Sequence, residues 1–96
     1  MTKSELIKHV AEHAQNLTRQ DVAVVVDTMF DTMTRALQKG ERIEIRGFGS
    51  FATKKRNSRQ GRNPRTGASV YVPPKRVASF IAGKVLRERI DNAAKH

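Results

Sequence analysis

The chain has 96 residues, no cysteine, 38% hydrophobic residues and a formal net charge of +10. That length makes one small domain with a modest core, and the lack of cysteine excludes disulfide staples and thiolate metal sites, which suits a reducing cytoplasm. No apolar run approaches the roughly 18 residues that span a bilayer, and the N-terminal MTKSELIKHV lacks the apolar stretch of a secretory signal.

The charge is unevenly placed. Residues 1–44 carry six Lys/Arg against seven Asp/Glu, net −1, and residues 88–96 balance at zero. Residues 45–87 carry eleven Lys/Arg and no acid, net +11. A basic face kept only for solubility mixes both signs. A 43-residue block without an acid needs a polyanion, with nucleic acid ahead of an anionic membrane.

Thr2 and Glu5 fit a capping box at a helix start, and Leu6, Ile7, Val10, Ala11 and Ala14 follow at helical spacing to about Gln15. Thr18 and Asp21 open a second helix. Its stripe is Val22, Val25, Val26, Met29, Phe30, Met33 and Leu37, closed by Gly40. Residues 1–40 are therefore expected to form a helical base.

The period then changes to two. Ile43 and Ile45 face one way while Arg42, Glu44 and Arg46 face the other. Gly47 and Gly49 mark a turn, and a second strand starts at Ser50 with Phe51 on the core side. A G-x-G followed by a strand is not a dinucleotide fingerprint.

Residues 54–76 hold eight Lys/Arg and all three prolines, with only Val70, Tyr71 and Val72 as sizeable apolar residues. This composition reads as a two-stranded ribbon standing off the body and turning near NPRTG. Pro73 and Pro74 cannot donate to a ladder and belong at an edge. Strand residues 41–53 and 77–82 flank the ribbon, and Phe80 leads into a C-terminal helix over 83–96. All of it forms one domain, 1–96. Without the ribbon 73 residues remain, too few to cover Phe30, Phe48, Phe51 and Phe80, so a homodimer sharing one core is expected.

His9-Val-Ala-Glu12-His13 matches the H-x-x-E-H spacing of inverted zinc peptidases. A zinc site also needs a third ligand and a substrate cleft, and two surface histidines beside a solvated Glu12 are the simpler reading. No Ser–His–Asp set, carboxylate pair or phosphate loop occurs. No enzyme activity, cofactor, metal or small-molecule substrate is expected.

The segments GERIEIRGFGSF (40–51), GRNPRTG (61–67) and FIAGKVLRE (80–88) resemble, in order and spacing, the bacterial histone-like DNA-binding family of HU and integration host factor. The resemblance covers essentially the whole chain. It implies an α+β fold: an intertwined dimer with a helical base, an antiparallel β saddle and protruding two-stranded ribbon arms. It also implies double-stranded DNA as partner, with bent, nicked or distorted duplexes preferred and the arms in the minor groove.

Carried over by position, the resemblance makes Pro64 the residue that wedges between base pairs. Arg62 and Arg65 flank it, Asn63 serves base edges or the turn itself, and Gly61 and Gly67 allow the reversal. Arg56 and Arg59, with Lys75 and Arg76 on the return strand, then follow phosphates along the arm, and Lys54 and Lys55 join them as DNA-binding residues. Arg46, Gly47 and Ser50 at the first turn, Lys84 and Arg87 on the last helix, and Lys3 on the first helix complete the set. Ala78 and Ala68 stand where the family writes proline and often lysine.

The expected function is architectural: DNA bending and compaction in the nucleoid, of the weakly sequence-selective HU type. The alternative is a sequence-selective host-factor beta-type subunit, toward which ERIEIRGFGSF leans and which would bring a different partner subunit. More remote is a basic RNA-binding protein. RNA modules present stacking aromatics, whereas this chain has one tyrosine and no tryptophan. A membrane-surface role lacks an apolar helical face.

Overall fold

The computed structural model describes residues 1–94; the end of the expected C-terminal helix, 95–96, lies outside the described residues. Two compact units divide the chain, residues 1–35 and 36–96.

The first unit holds α1, Lys3–His13, and most of α2, Arg19–Gln38. Thr2 is extended and its Oγ1 accepts from the Glu5 N–H at 3.2 Å, satisfying one orphan donor of the first turn. At α2 the box is reciprocal. Asp21 N–H donates to Thr18 Oγ1 at 3.0 Å, and Thr18 N–H donates to Asp21 Oδ2 at 3.1 Å. α1 stops two residues before the expected Gln15, because Ala14 leaves helical geometry and returns its N–H to the Ala11 carbonyl.

Between the helices lies a very small core. Ile7, Val22 and Val26 are buried, with Leu6, Ala11, Ala14 and Ala23 packed against them. Burying such a side chain stabilises by roughly 1.5–3 kcal/mol. Much of the α2 stripe is not covered: Val25, Met29 and Phe30 are exposed, Phe30 by 45%, while Met33 and Leu37 are half-buried.

The second unit begins with the end of α2. Gly40, at φ +80°, donates to the Leu37 carbonyl, and Glu41 N–H reaches back to Ala36, the paired bonds of a glycine C-cap. Strands β1 (Ile43–Ile45), β2 (Gly49–Arg56) and β5 (Lys75–Ala82) form an antiparallel sheet in the order β1-β2-β5. Its register places Phe51 opposite Phe80 and Arg56 opposite Lys75. β3 (Arg59–Arg62) and β4 (Ser69–Val72) make a separate antiparallel pair. α3, Lys84–Ala94, closes the chain.

The β2–β5 ladder runs to Arg56 and Lys75, so the root of the expected ribbon at 54–56 and 75–76 is continuous with the three-stranded sheet. The separate pair starts only at Arg59. Asn57–Ser58 and Pro73–Pro74 fall in the gap, and proline nitrogens cannot donate to a ladder. The interruption is thus written in the residues themselves.

Candidate nucleic-acid interface

Directly opposed strand residues share a face, so the register sorts the basic side chains. One face of the three-stranded sheet carries Glu44, Ser50, Ala52, Lys54 and Arg56, with Lys75, Val77, Ser79 and Ile81 on β5. The opposite face carries Phe51, Thr53 and Lys55 with Arg76, Ala78 and Phe80. Here Phe80 packs on Phe51 (ring centroids 4.7 Å apart) and on Phe48 (5.5 Å). Phe51 is half-buried, while Phe48 and Phe80 are 44% and 42% exposed. The five basic residues of this ladder expected at the DNA are therefore divided. Lys54, Arg56 and Lys75 lie on one side; Lys55 and Arg76 lie on the aromatic side.

In the separate ribbon, Arg59 opposes Val72 and Gly61 opposes Val70, while Gln60 and Arg62 oppose Tyr71 and Ser69. Arg59 and Arg62 thus leave from opposite faces. Gly61 is a strand residue with Val72 over it (a Cβ there would meet Val72 Cγ2 at 3.3 Å) and takes no part in the reversal. The reversal falls to Gly67, at φ +71°, alone of the two.

The tip is ordered by its own hydrogen bonds. Asn63 N–H donates to Ala68 O at 2.8 Å, and Gly67 N–H donates to Asn63 O at 2.7 Å. Asn63 Oδ1 accepts from Arg65 N–H at 2.9 Å, and Thr66 Oγ1 from Ala68 N–H at 3.2 Å. The Asn63 side-chain oxygen serves the turn, while its amide nitrogen retains donors for an outside acceptor. Pro64 and Arg65 stand exposed at the end. Proline fits there because its missing N–H is not needed and its φ is preset.

A second cluster surrounds the β1–β2 turn. Gly47 adopts φ +83°, and Phe48 N–H closes the turn on Ile45 O at 2.9 Å. Gly83 N–H donates to Phe48 O at 2.8 Å, and Arg87 N–H to Gly83 O at 3.0 Å, which ties the start of α3 to that turn. Arg46, Gly47, Ser50, Ile81 and Gly83 line one cleft. Lys84 opens α3, where free N–H groups favour an anion, and sits 4.0 Å from Glu88. Sequence reading passed over Arg42, whose guanidinium meets Glu44 at 3.3 Å and Ser50 Oγ at 3.3 Å. Its alternation with Glu44 and Arg46 was the available signal.

Two expected contacts are already engaged. Lys3 Nζ meets Asp27 Oδ1 at 2.8 Å within the first unit, an exposed pair of the kind worth about 0.2–1 kcal/mol. Arg76 Nη2 donates to the Gln38 carbonyl at 2.7 Å. By contrast, no ion pair involves Lys54, Lys55, Arg56, Arg59, Arg62, Arg65 or Lys75 among the described residues. That is an unneutralised positive field over the ribbon and its root.

Histidines 9 and 13 form no metal site: His13 Nδ1 lies 2.8 Å from the His9 carbonyl, and no group of three potential ligands occurs among the described residues. No helix among them is long and apolar enough to cross a membrane.

A small α+β fold with an unpaired basic ribbon and a self-ordered proline tip defines a nucleic-acid-binding protein of the architectural class. The chain belongs to the bacterial DNA-binding protein family, whose model matches residues 1–91, a family of architectural DNA-binding proteins and not of enzymes. Integration host factor subunit beta of Bordetella petrii is 55% identical over 93 residues, 97% of this chain and 78% of that protein. The subunit of the same name from Dichelobacter nodosus is 54% identical over 91 residues, 95% of each. Among solved structures, a cocrystal of Anabaena HU with DNA superposes with a TM-score of 0.86 at 38% identity, covering 94% of this chain and 97% of that one. HU from Thermotoga maritima gives 0.62 at 37% identity, covering 94% and 98%.

Proposed function

We propose that this protein is a host-factor beta-type subunit that bends double-stranded DNA, with the arm in the minor groove and Pro64 wedged at a base step. One observation carries the reading: an acid-free basic block projected on a ribbon, without an ion pair, and ending in a proline presented by a prefolded loop. A wedge costs a few kcal/mol of unstacking, recovered only when the bent duplex meets more basic surface. Lys54, Arg56 and Lys75 on one sheet face supply such a surface. Arg62 and Arg65 hold the narrow groove beside the tip.

The sequence reading ranks the weakly selective HU type first. The relatives support the host-factor type better, since those at 54–55% identity are named host-factor beta subunits while the HU structures stand at 37–38%. A second subunit is the corollary, and the exposed Phe48 and Phe80 suit an interface. Its place of action is the nucleoid.

Binding to linear, nicked and four-way-junction duplexes, with RNA as competitor, followed by selection from a random duplex pool, tests the reading. A recovered sequence motif supports the host-factor type. Selection without a motif returns the assignment to the HU type, and RNA competing as well as duplex overturns both.

A further inference from the structure

The resemblance places Arg76 with Lys75 on the return strand, both following phosphates along the arm. The register separates them. Arg76 opposes Lys55 on the face of Phe51 and Phe80, while Lys75 opposes Arg56 on the other face. A guanidinium leaving the aromatic face starts from the wrong side to share a phosphate track with Lys54, Arg56 and Lys75.

Its actual partner is an orphan. The last carbonyls of a helix lack intrahelical donors. In α2 the glycine cap serves two of them: Ala36 O accepts from Lys39 and Glu41, and Leu37 O accepts from Gly40. The carbonyl of Gln38, the last helical residue, is left over, and Arg76 Nη2 fills it at 2.7 Å. The positive charge also sits at the negative end of the helix dipole. Arg76 Nη1 lies 3.7 Å from where a Gly40 Cβ would stand, so the guanidinium rests against the cap itself.

We propose that Arg76 is a positioning residue and not a DNA contact: it ties the root of the arm, at the Lys55–Arg76 rung, to the last turn of α2. The next rung, Arg56–Lys75, is the last before the ladder breaks at Pro73–Pro74. A brace at this point restrains the strand that carries the arm. The consequence for bending rests on the DNA-binding reading above; the brace does not.

The test compares Arg76→Ala, Arg76→Lys and Arg56→Ala. In the free protein, amide exchange at residues 54–56 and 75–77 should accelerate about fivefold in Arg76→Ala, partly recover in Arg76→Lys, which retains a donor, and stay near the parent rate in Arg56→Ala. In DNA titrations the slope of log K against log salt should flatten by about one unit in Arg56→Ala and stay unchanged in Arg76→Ala. Energy transfer across a short duplex should show a smaller and broader bend for Arg76→Ala. A slope that flattens by about one unit in Arg76→Ala, or exchange equal to the parent, overturns the proposal. If the parent itself fails to bind duplex, the functional reading falls, and the exchange comparison still decides the brace.

Discussion

Gly49 lies directly beneath Phe80: a Cβ at Gly49 would stand 2.7 Å from the Phe80 ring and 2.6 Å from the Ile81 carbonyl. Backbone cannot swing aside as a flexible side chain can, so Gly49→Ala must move the β2–β5 pairing or the aromatic cluster. Overpacking of this kind costs typically 1–3 kcal/mol, and the backbone contact points to the upper end. Gly47 is a control two residues away. Nothing lies within 4 Å of its Cβ position, and its φ of +83° alone penalises a side chain, by about 1–2 kcal/mol. Urea unfolding of the two alanine variants should rank Gly49→Ala as the weaker. Equal midpoints would remove the packing argument.

Pro64→Ala should leave the unfolding midpoint unchanged, because the tip is exposed and its loop is closed by Asn63, Thr66, Ala68 and Gly67. It should strongly reduce bending. Binding to intact linear duplex should fall more than binding to nicked or gapped DNA, where the step is already unstacked. Energy transfer between duplex ends reads this directly. Bending equal to the parent would mean that the proline only shapes the turn.

Affinity should be dominated by phosphate neutralisation. With about 6–10 phosphates engaged, log K should fall against log salt with a slope of about −5 to −9. A slope shallower than about −3 would exclude the basic ribbon as the binding surface. The double replacement Arg62→Ala plus Arg65→Ala should weaken every duplex alike, nicked or intact, unlike Pro64→Ala.

Association should be measurable in the chain alone. Phe48 and Phe80 are 44% and 42% exposed, and the first unit buries only Ile7, Val22 and Val26. Sedimentation equilibrium at micromolar concentration should give a mass above 10.8 kDa, and the thermal midpoint should rise with protein concentration. A folded species of 10.8 kDa with a concentration-independent midpoint would show that the aromatic cluster needs no second subunit.

Features governed by near neighbours were readable in the residues. The capping pair Thr18–Asp21, the glycine end of α2 and the strand alternation around Ile43 and Ile45 each depend on interactions within a few positions, so local chemistry decides them. Charge also sums without geometry, and the acid-free block announced a polyanion before any strand was placed. What the fold alone decided is the long-range register. Pairing Phe51 with Phe80 assigns Lys54, Arg56 and Lys75 to one side and Arg76 to the other, and no composition or spacing fixes which residue 29 positions away will lie opposite. The same register converts Gly49 from a turn residue into a space reserved for an aromatic ring. It also brings Arg76 to the carbonyl of Gln38, 38 positions back. A helix end announces its orphan carbonyl in the sequence; which donor arrives to fill it is a tertiary fact, because only packing brings distant chain segments within hydrogen-bond reach.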